Sequence, residues 1–189
     1  MNIIRIDTAD RRRVKQFLNL PFRIYRDTSQ WVPPLEPDAR LMLDRRRHPF
    51  YRHSDAAFFL ALADERVVSR LAVLDNLRYN DYNKERTAFF YLFECEDDRA
   101  AVQGLFQAAF GWARARGLNK IIGPKGFTVF DGLGMLVKGF EHRPAFGLPY
   151  KAGKFFVGLS TAWPLNLASD ARRGCILEVD AVTGAHTHF

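Results

Sequence analysis

Hydrophobic and polar positions follow two periodicities along this chain, and the change from one to the other is clearest over residues 87–117. Residues 89–93 form an aromatic run that is apolar on both faces, which predicts a strand covered on both sides. The polar stretch 94–98 ends this run. A helical spacing of apolar residues follows, at Val102, Leu105, Phe106, Ala109, Phe110 and Ala113. The short apolar run 120–122 closes a βαβ unit whose two strands we expect to be parallel.

The same two periods divide the rest of the chain into further elements. Thr8 is the predicted N-cap of a helix that begins near residue 11, and Pro21 is expected to end or kink this helix. Residues 76–86 are polar and predict a loop, and the glycine-rich residues 125–140 predict a loop that packs. The remaining predictions are a strand over 2–7, an ordered loop or broken helix over 20–34, a helix over 36–46, hairpin strands over 56–63 and 67–75, and a strand over 176–182.

Composition bounds the class of protein. The 189 residues are 48% hydrophobic and 26% charged, which is typical of a globular domain that buries a core. The net charge of +7 favours anionic partners such as phosphorylated cofactors, acidic lipid surfaces or nucleic acid, although scattered surface arginines explain it equally well. Cys95 and Cys175 do not make a disulfide framework. Because no signal segment or membrane-length apolar run is found, we expect a cytoplasmic protein.

Several side chains are candidates for chemistry. His48, Tyr51 and His53 are close together in the sequence, and an imidazole can act as a general base near neutral pH. Two histidines without a clustered third or fourth ligand do not predict a metal site, and a packed loop with surface histidines is the alternative. Cys95 has carboxylate neighbours, which raise the pKa of a thiol, so an idle thiol is predicted rather than a nucleophile.

Two arginine runs, residues 11–13 and 45–47, contribute much of the positive charge. They are compatible with phosphate contacts in nucleic acid or lipid, and equally with the solvated faces of two helices. Neither run alternates with the stacking aromatics that single-strand binders use, so nucleic acid is not the predicted partner.

Both the order of elements and several local sequences point to a known family. The order strand, helix, broken helix, hairpin, strand, helix, strand is that of the GCN5-related N-acetyltransferase (GNAT) fold. The local sequences are LPFRIYRD at 20–27, WVPPL at 31–35, HPFY at 48–51 with His53, Phe89-Phe90, Phe93-Glu94, Asp97-Asp98, Gly123-Pro124, Gly126-Phe127, Gly132, Gly134 and Gly139-Phe140. Through them, residues 3–150 resemble a largely uncharacterised bacterial GNAT-like family of ceramide synthase-like acyltransferases.

The resemblance implies a fold and an activity. The fold is α/β (α+β), with a GNAT-type mixed, mostly antiparallel sheet flanked by helices over residues 1–150. The activity is N-acyl transfer from acyl-CoA or acetyl-CoA, used as a co-substrate without a metal, to an amine. The acceptor would be a small-molecule or lipid amine, such as a sphingoid base, with peripheral contact to a membrane. The oligomeric state stays open.

The resemblance also assigns roles at the end of the central strand. Glu94 would accept a proton from the attacking amine, directly or through a water molecule. Backbone N–H groups of the splayed strand from Phe93 to Cys95 would stabilise the thioester oxygen. Arg99 is the side chain of the following turn that would help to bind the pyrophosphate of CoA.

Two further roles follow from the same resemblance. Tyr150 would protonate the leaving thiolate, with Tyr91 and Tyr82 as alternatives. The segment that contains His48, Tyr51 and His53 would shape the acceptor pocket, unless it is only a packed loop.

The chain departs from the family at two places. GNAT enzymes usually follow the central strand with a glycine-rich turn, Q/R-x-x-G-x-G/A, whose N–H groups bind the pyrophosphate at a helix N-terminus. Here residues 95–101 contain no glycine, and acidic side chains would oppose a pyrophosphate by about 1 kcal/mol for each close pair. After Tyr150 the sequence diverges, which predicts a tail over residues 151–189 that arose by truncation or a change of reading frame.

These departures leave rival functions open. The first is a non-catalytic GNAT-like module that binds a lipid or a partner. The second is a basic nucleic-acid-binding protein, and the third is a gene product without activity of its own.

Overall fold

The computed structural model describes residues 1–128, 131, 134, 177–180 and 186–188. Its strands are β1 (Asn2–Arg5), β2 (Asp55–Ala63), β3 (Arg66–Asp75), β4 (Thr87–Cys95), β5 (Lys120–Gly123), β6 (Leu177–Asp180) and β7 (His186–His188). Its helices are α1 (Arg11–Ile24), α2 (Glu36–Leu43), α3 (Leu77–Asn83) and α4 (Arg99–Arg114), with a 3-10 helix at Pro49–Arg52. The strands form one sheet in chain order, antiparallel at every junction except between β4 and β5. The expected mixed, mostly antiparallel sheet with flanking helices is confirmed.

Two apolar cores cover the two faces of the sheet. Neighbouring residues of β4 alternate between them, with Phe89 in one core and Phe90 in the other. Helix α4 covers the Phe90 side, called here the α4 face, where its residues Leu105 and Ala109 are completely buried. Helices α1 and α2 and the 3-10 helix cover the Phe89 side, called here the α1 face. The prediction that this strand is covered on both sides is confirmed.

The βαβ unit of β4, α4 and β5 is also confirmed. Asp98 caps α4, because its side chain accepts a hydrogen bond from Ala101 N at 3.0 Å. Gly117 follows the helix with φ of 72°, a conformation that favours glycine. Strands β4 and β5 then pair in parallel, with Ala88 opposite Ile121.

Helix α1 differs from its prediction at both ends. Asp10 rather than Thr8 is the N-cap, since its carboxylate accepts hydrogen bonds from Arg12 N at 2.9 Å and Arg13 N at 3.1 Å. Pro21 does not end the helix but lies buried inside it. The reason is that the carbonyl left without its helical N–H partner, Phe17 O, accepts a hydrogen bond from a side chain of β3 instead.

The predicted loop over residues 76–86 contains helix α3, so that prediction is wrong. The helix is stabilised by side chains that bond to the backbone. Asn76 caps it by accepting from Tyr79 N at 3.1 Å. The buried Asn80 bonds to both backbone groups of Thr87, at 2.9 and 3.0 Å. Such bonds depend on the position of β4, and propensity scales do not include them.

Several further elements can be compared with their predictions. The hairpin of β2 and β3 and the strand near residues 176–182, now β6, are confirmed, and α2 ends earlier than predicted, at Leu43. Most of the glycine-rich loop 125–140, Tyr150 and the boundary at residue 150 lie outside the described residues. In the described part of the chain, none of the helices is long and apolar enough to cross a membrane.

Candidate functional site

The site begins where the two parallel strands separate. Ladder pairing between β4 and β5 ends at Phe89, followed by one hydrogen bond from Lys125 N to Phe90 O at 2.9 Å. A Cβ added at Gly123 would lie 2.5 Å from Phe90 O, so glycine permits this close approach. Beyond it, β4 continues to Cys95 and, among the described residues, pairs with β3 alone. The β5-facing edge of this part of β4 is called the β4 gap here.

A β-bulge lies at the start of the β4 gap. Ala72 of β3 pairs with Tyr91, and Arg70 pairs with Glu94, so two residues of β4 oppose one residue of β3 between these pairs. Leu92 is one of the two and has φ of 50°, an uncommon conformation for a residue other than glycine. Strained backbone of this kind persists where the surroundings hold it, and it clusters at functional sites.

The bulge directs backbone donors into the gap. Glu96 N donates to Val68 O of the neighbouring strand at 2.9 Å. Because successive N–H groups of a strand point to opposite edges, those of Phe93 and Cys95 point away from β3 and toward the gap. These two N–H groups lie on the same edge of β4, about 7 Å apart along the strand.

Glu94 is held beside these donors by a buried arginine. Arg70 Nε lies 2.5 Å from Glu94 Oε2, and the Arg70 side chain is only 4% exposed. The same guanidinium donates to Phe17 O at 2.8 Å and lies 4.9 Å from the centre of the Phe17 ring. On the backbone side, Ser69 Oγ donates to Glu94 O at 2.8 Å. Glu94 therefore has a fixed position on the α1 face.

Sequence reasoning did not single out Arg70. Its signal was present, since Arg70 is the one charged residue in the apolar stretch 67–74. A charge in a strand that is buried on both faces needs a partner, and Glu94 provides it.

Two tyrosines lie in the electrostatic field of Glu94. Burial raises the pKa of Tyr25, and the charge of Glu94 raises it further. Burial also raises the pKa of Tyr91, with Asp131 and Glu94 adding to the effect. Tyr91 donates its hydroxyl hydrogen to Asp131 O. Both phenols therefore remain protonated near neutral pH, and Tyr25 was missed by the sequence analysis.

The other two predicted tyrosines do not join this group in the structure. Tyr82 lies on α3 with 87% of its surface exposed. Tyr150 lies outside the described residues.

The segment of His48, Tyr51 and His53 forms part of the α1-face core. The rings of His48 and Phe127 have centroids 4.7 Å apart, and His48 Nδ1 accepts from Phe50 N at 3.2 Å. Burial lowers the pKa of His48. Tyr51 donates its hydroxyl hydrogen to Met42 O at 2.6 Å.

These three side chains take part in packing, and their role in shaping the acceptor pocket stays a prediction. His53 Nδ1 lies 2.6 Å from Ser54 Oγ, at the end of the 3-10 helix. The observed contacts match the alternative of a packed loop, and the segment lies on the same face as Glu94.

The turn before α4 does not reproduce the glycine-rich pyrophosphate cradle. The carboxylate of Asp98 occupies the helix N-terminus that would otherwise face an anion. Glu96 is bound by two arginines, Arg23 at 2.7 Å and Arg66 at 2.5 Å. Although burial alone would raise the pKa of Glu96, Arg66 and Arg23 lower it. The expected repulsion from Glu96 is thus largely neutralised, and Arg99 is exposed on the first turn of α4.

The side chains of Phe93 and Cys95 point away from Glu94, into the α4 face. Phe93 packs on Phe106 with ring centroids 5.3 Å apart. Burial raises the pKa of the Cys95 thiol, so the group is not an activated nucleophile. Only the backbone of these two residues faces the gap.

Two proteins are similar in sequence to this chain, while no protein-family profile matches it. Bacterial ceramide synthase of Caulobacter vibrioides is 33% identical over 132 residues, which cover 69% of this chain and 34% of that protein. Protein YghO of Escherichia coli is 29% identical over 143 residues, which cover 72% of this chain and 35% of that protein. The chain thus spans about a third of the length of the curated relatives it matches.

A solved structure shows the same fold. A tandem GNAT protein from the clavulanic acid biosynthesis pathway, determined without AcCoA, superposes with a TM-score of 0.51 at 18% identity. The match covers 64% of this chain and 35% of that one.

Proposed function

The chain has the GNAT fold and resembles bacterial ceramide synthase in sequence, and we propose that it transfers an acyl group from an acyl thioester to an amine. The proposal rests above all on the part of β4 that follows the bulge at Leu92, where, among the described residues, the strand no longer pairs with β5 and its gap-facing N–H groups lie next to Glu94. A thioester carbonyl in this gap would meet donors on one side and a carboxylate base on the other.

In the proposed mechanism the amine nitrogen attacks the thioester carbon. The N–H group of Phe93 or of Cys95 stabilises the negative charge that forms on the oxygen. Glu94 accepts the proton that the nitrogen loses, directly or through a water molecule. The carbon–sulfur bond then breaks, the amide forms, and the thiolate leaves.

The leaving thiolate needs a proton donor. Tyr150 is the residue that the family resemblance assigns to this step. Tyr91 is the alternative that the described structure supports better than Tyr82, because its protonated hydroxyl lies on the same face as Glu94. Arg70 is a positioning residue here, since it holds the carboxylate through a 2.5 Å ion pair.

The proposed donor is acyl-CoA or acetyl-CoA, used as a substrate. Arg99 would contact its phosphates, because it is exposed beside the turn at the end of the gap. The proposed acceptor is a small-molecule or lipid amine. The name of the ceramide synthase relative supports the lipid amine and a long acyl chain, although this chain spans only 34% of that protein.

A second candidate is a non-catalytic module that binds a thioester or a lipid. The observation that favours it is the Asp98 cap, because it fills the helix N-terminus where GNAT enzymes bind pyrophosphate. Such a module would keep the fold and lose the usual phosphate contacts.

Thermal unfolding of the full chain with CoA, acetyl-CoA or a long-chain acyl-CoA below its micelle concentration tests donor binding. A ligand present at about 100 times its Kd adds about 2.7 kcal/mol to the free energy of unfolding, which raises the Tm by roughly 5 °C or more. We expect this shift with one of the thioesters and a smaller one with CoA. A cooperative unfolding transition whose Tm is unchanged by all three ligands would contradict the proposal.

A further inference from the structure

Exposed apolar side chains are concentrated at one corner of the described structure. Phe22, Val32 and Leu35 have exposed fractions of 47, 46 and 60%. They lie within 14 consecutive residues that join α1 to α2, a region called the α1–α2 corner here. The other large exposed hydrophobic residues of the described part, Met1, Leu77 and Tyr82, lie elsewhere along the chain. Exposed apolar side chains grouped on a surface mark an interaction site more often than single scattered ones do.

Aromatic contacts and backbone hydrogen bonds hold the α1–α2 corner in place. The Phe22 and Trp31 rings meet edge to face with centroids 5.1 Å apart, and the Tyr25 ring lies 5.3 Å from Trp31. Two backbone hydrogen bonds of 3.0 Å, from Thr28 N to Tyr25 O and from Trp31 N to Thr28 O, fold the connection back on the end of α1. The exposed Val32 follows this aromatic cluster directly in the sequence, and Leu35 is three residues further on.

The positive charge of the chain is concentrated in the same region. Residues 11–47 contain ten lysines and arginines but only four acidic residues, so they hold six of the seven net positive charges. Arg11, Lys15 and Phe22 are exposed and follow one another at helical spacing on the outer face of α1. The stretch of chain that contains the apolar corner is thus strongly basic.

We propose that the α1–α2 corner docks on a membrane that contains anionic lipids. Val32, Leu35 and Phe22 would enter the boundary between headgroups and acyl chains, and the basic residues would face the anionic headgroups. Tryptophan and tyrosine beneath them suit this boundary. The charge complementarity is what selects a membrane. Two copies of this basic surface would repel each other, and nucleic acid offers no site for exposed aliphatic groups.

This docking can be tested apart from acyl transfer, because Arg11, Lys15, Val32 and Leu35, the residues changed below, are not part of the candidate site. A protein that binds vesicles without acyltransferase activity would support docking alone. An active protein that does not bind vesicles would overturn docking and leave the proposed function standing.

Vesicle co-sedimentation of the full chain tests the proposal. We compare vesicles of phosphatidylcholine alone with vesicles that also contain phosphatidylglycerol. We expect a partition coefficient at least about tenfold higher on the anionic vesicles, which falls as salt is added. The pair Val32→Ser and Leu35→Ser is expected to lower it about tenfold or more, because it removes two inserted aliphatic groups. Serine is also a favourable N-cap for α2, so the fold should tolerate Leu35→Ser.

Matched variants separate the corner from general effects. The pair Leu77→Ser and Tyr82→Ser removes exposed apolar groups on α3 and is expected to change the partition coefficient less than about twofold. Charge reversal by Arg11→Glu and Lys15→Glu is expected to weaken binding strongly.

Three outcomes would overturn the proposal. The first is equal binding to neutral and anionic vesicles. The second is loss of binding in the α3 pair as large as in the corner pair. The third is no vesicle binding together with concentration-dependent self-association that Val32→Ser and Leu35→Ser abolish, which would make the corner an interface between copies of the chain.

Discussion

Arg70 links three elements from the interior of the molecule. Its guanidinium bonds to Glu94 of β4 and to Phe17 O of α1, and it lies against the Phe17 ring. The carbonyl is available because Pro21 has no N–H to donate to it. Pro21 therefore leaves Phe17 O available to Arg70, and Arg70 in turn fixes the position of Glu94, the proposed base.

Glu94→Gln tests the proposed base at the scale of one residue. The amide keeps an oxygen that can accept from Arg70, but it cannot take the proton of the amine. We expect kcat for amide formation to fall about 100-fold with little change in KM for the thioester.

The control for this variant is Asp97→Asn, which neutralises an exposed carboxylate of the following turn. It is expected to retain kcat within about twofold. Full activity of Glu94→Gln would remove Glu94 from the mechanism.

His48 predicts a pH dependence of stability. Burial lowers its pKa in the folded protein. Below the usual histidine pKa of about 6.5, the unfolded chain therefore binds a proton that the folded chain does not, and the free energy of unfolding falls as the pH is lowered. His48→Asn keeps an N-cap acceptor for the 3-10 helix but does not titrate.

Urea unfolding at pH 7.5 and pH 5.5 measures this effect. We expect the loss of stability between the two pH values to be smaller in His48→Asn than in the parent chain. His53→Asn is the comparison, because His53 is far less buried and its contribution should be smaller. An identical loss in His48→Asn and the parent would show that His48 does not titrate differently on folding.

At the scale of elements, the two halves of β4 have different functions. Its first half pairs on both edges and lies at the centre of the sheet, and its second half leaves β5 and provides the gap. The bulge at Leu92 separates the halves. The strand is thereby both a structural centre and the proposed binding edge.

Leu92→Ile tests the bulge. The two side chains have similar volumes, but a β-branched residue is strongly disfavoured at φ of 50°. We expect the free energy of unfolding to fall by about 2 kcal/mol and the Tm shift given by the thioester to shrink. Leu74→Ile, at a position of β3 that pairs regularly with Phe89, is expected to cost less than about 1.5 kcal/mol and to leave the ligand shift intact. Equal effects of the two substitutions would contradict a special role for the bulge.

Elements with strong local patterns could be predicted, and those that depend on distant contacts could not. The aromatic run of β4 and the apolar stripe of α4 have clear periods, and the sequence predicts both correctly. Helix α3 has no such stripe. It is stabilised by the bonds between Asn80 and Thr87, which form only once β4 is in place.

The same distinction applies to the candidate site. Glu94 lies near the end of the central strand, where the resemblance places a base. The bulge at Leu92 contains no glycine from which it could be predicted. It arises from the register between β3 and β4. The partnership of Arg70 with Glu94 joins residues 24 positions apart, which no local pattern reveals.

At the scale of the whole molecule, the chain combines a mixed α/β fold, the β4 gap and the α1–α2 corner. The fold is that of GNAT proteins, and the gap lies where β4 leaves β5. The α1–α2 corner lies on the helices of the α1 face, the face that also holds Glu94. Together, the proposed function and the proposed docking predict a lipid amine taken from a membrane and an acyl-CoA taken from solution.

Mass-spectrometric detection of the N-acyl product is the measurement that tests the central claim most directly. The full chain is incubated with acetyl-CoA or a long-chain acyl-CoA and with a set of small and long-chain amines, and free thiol is measured in parallel. The account predicts an amide of one acyl group and one amine, one thiol released for each amide, and a rate about 100-fold lower in Glu94→Gln. Binding of a thioester that yields no amide with any amine would contradict the account and favour the non-catalytic module.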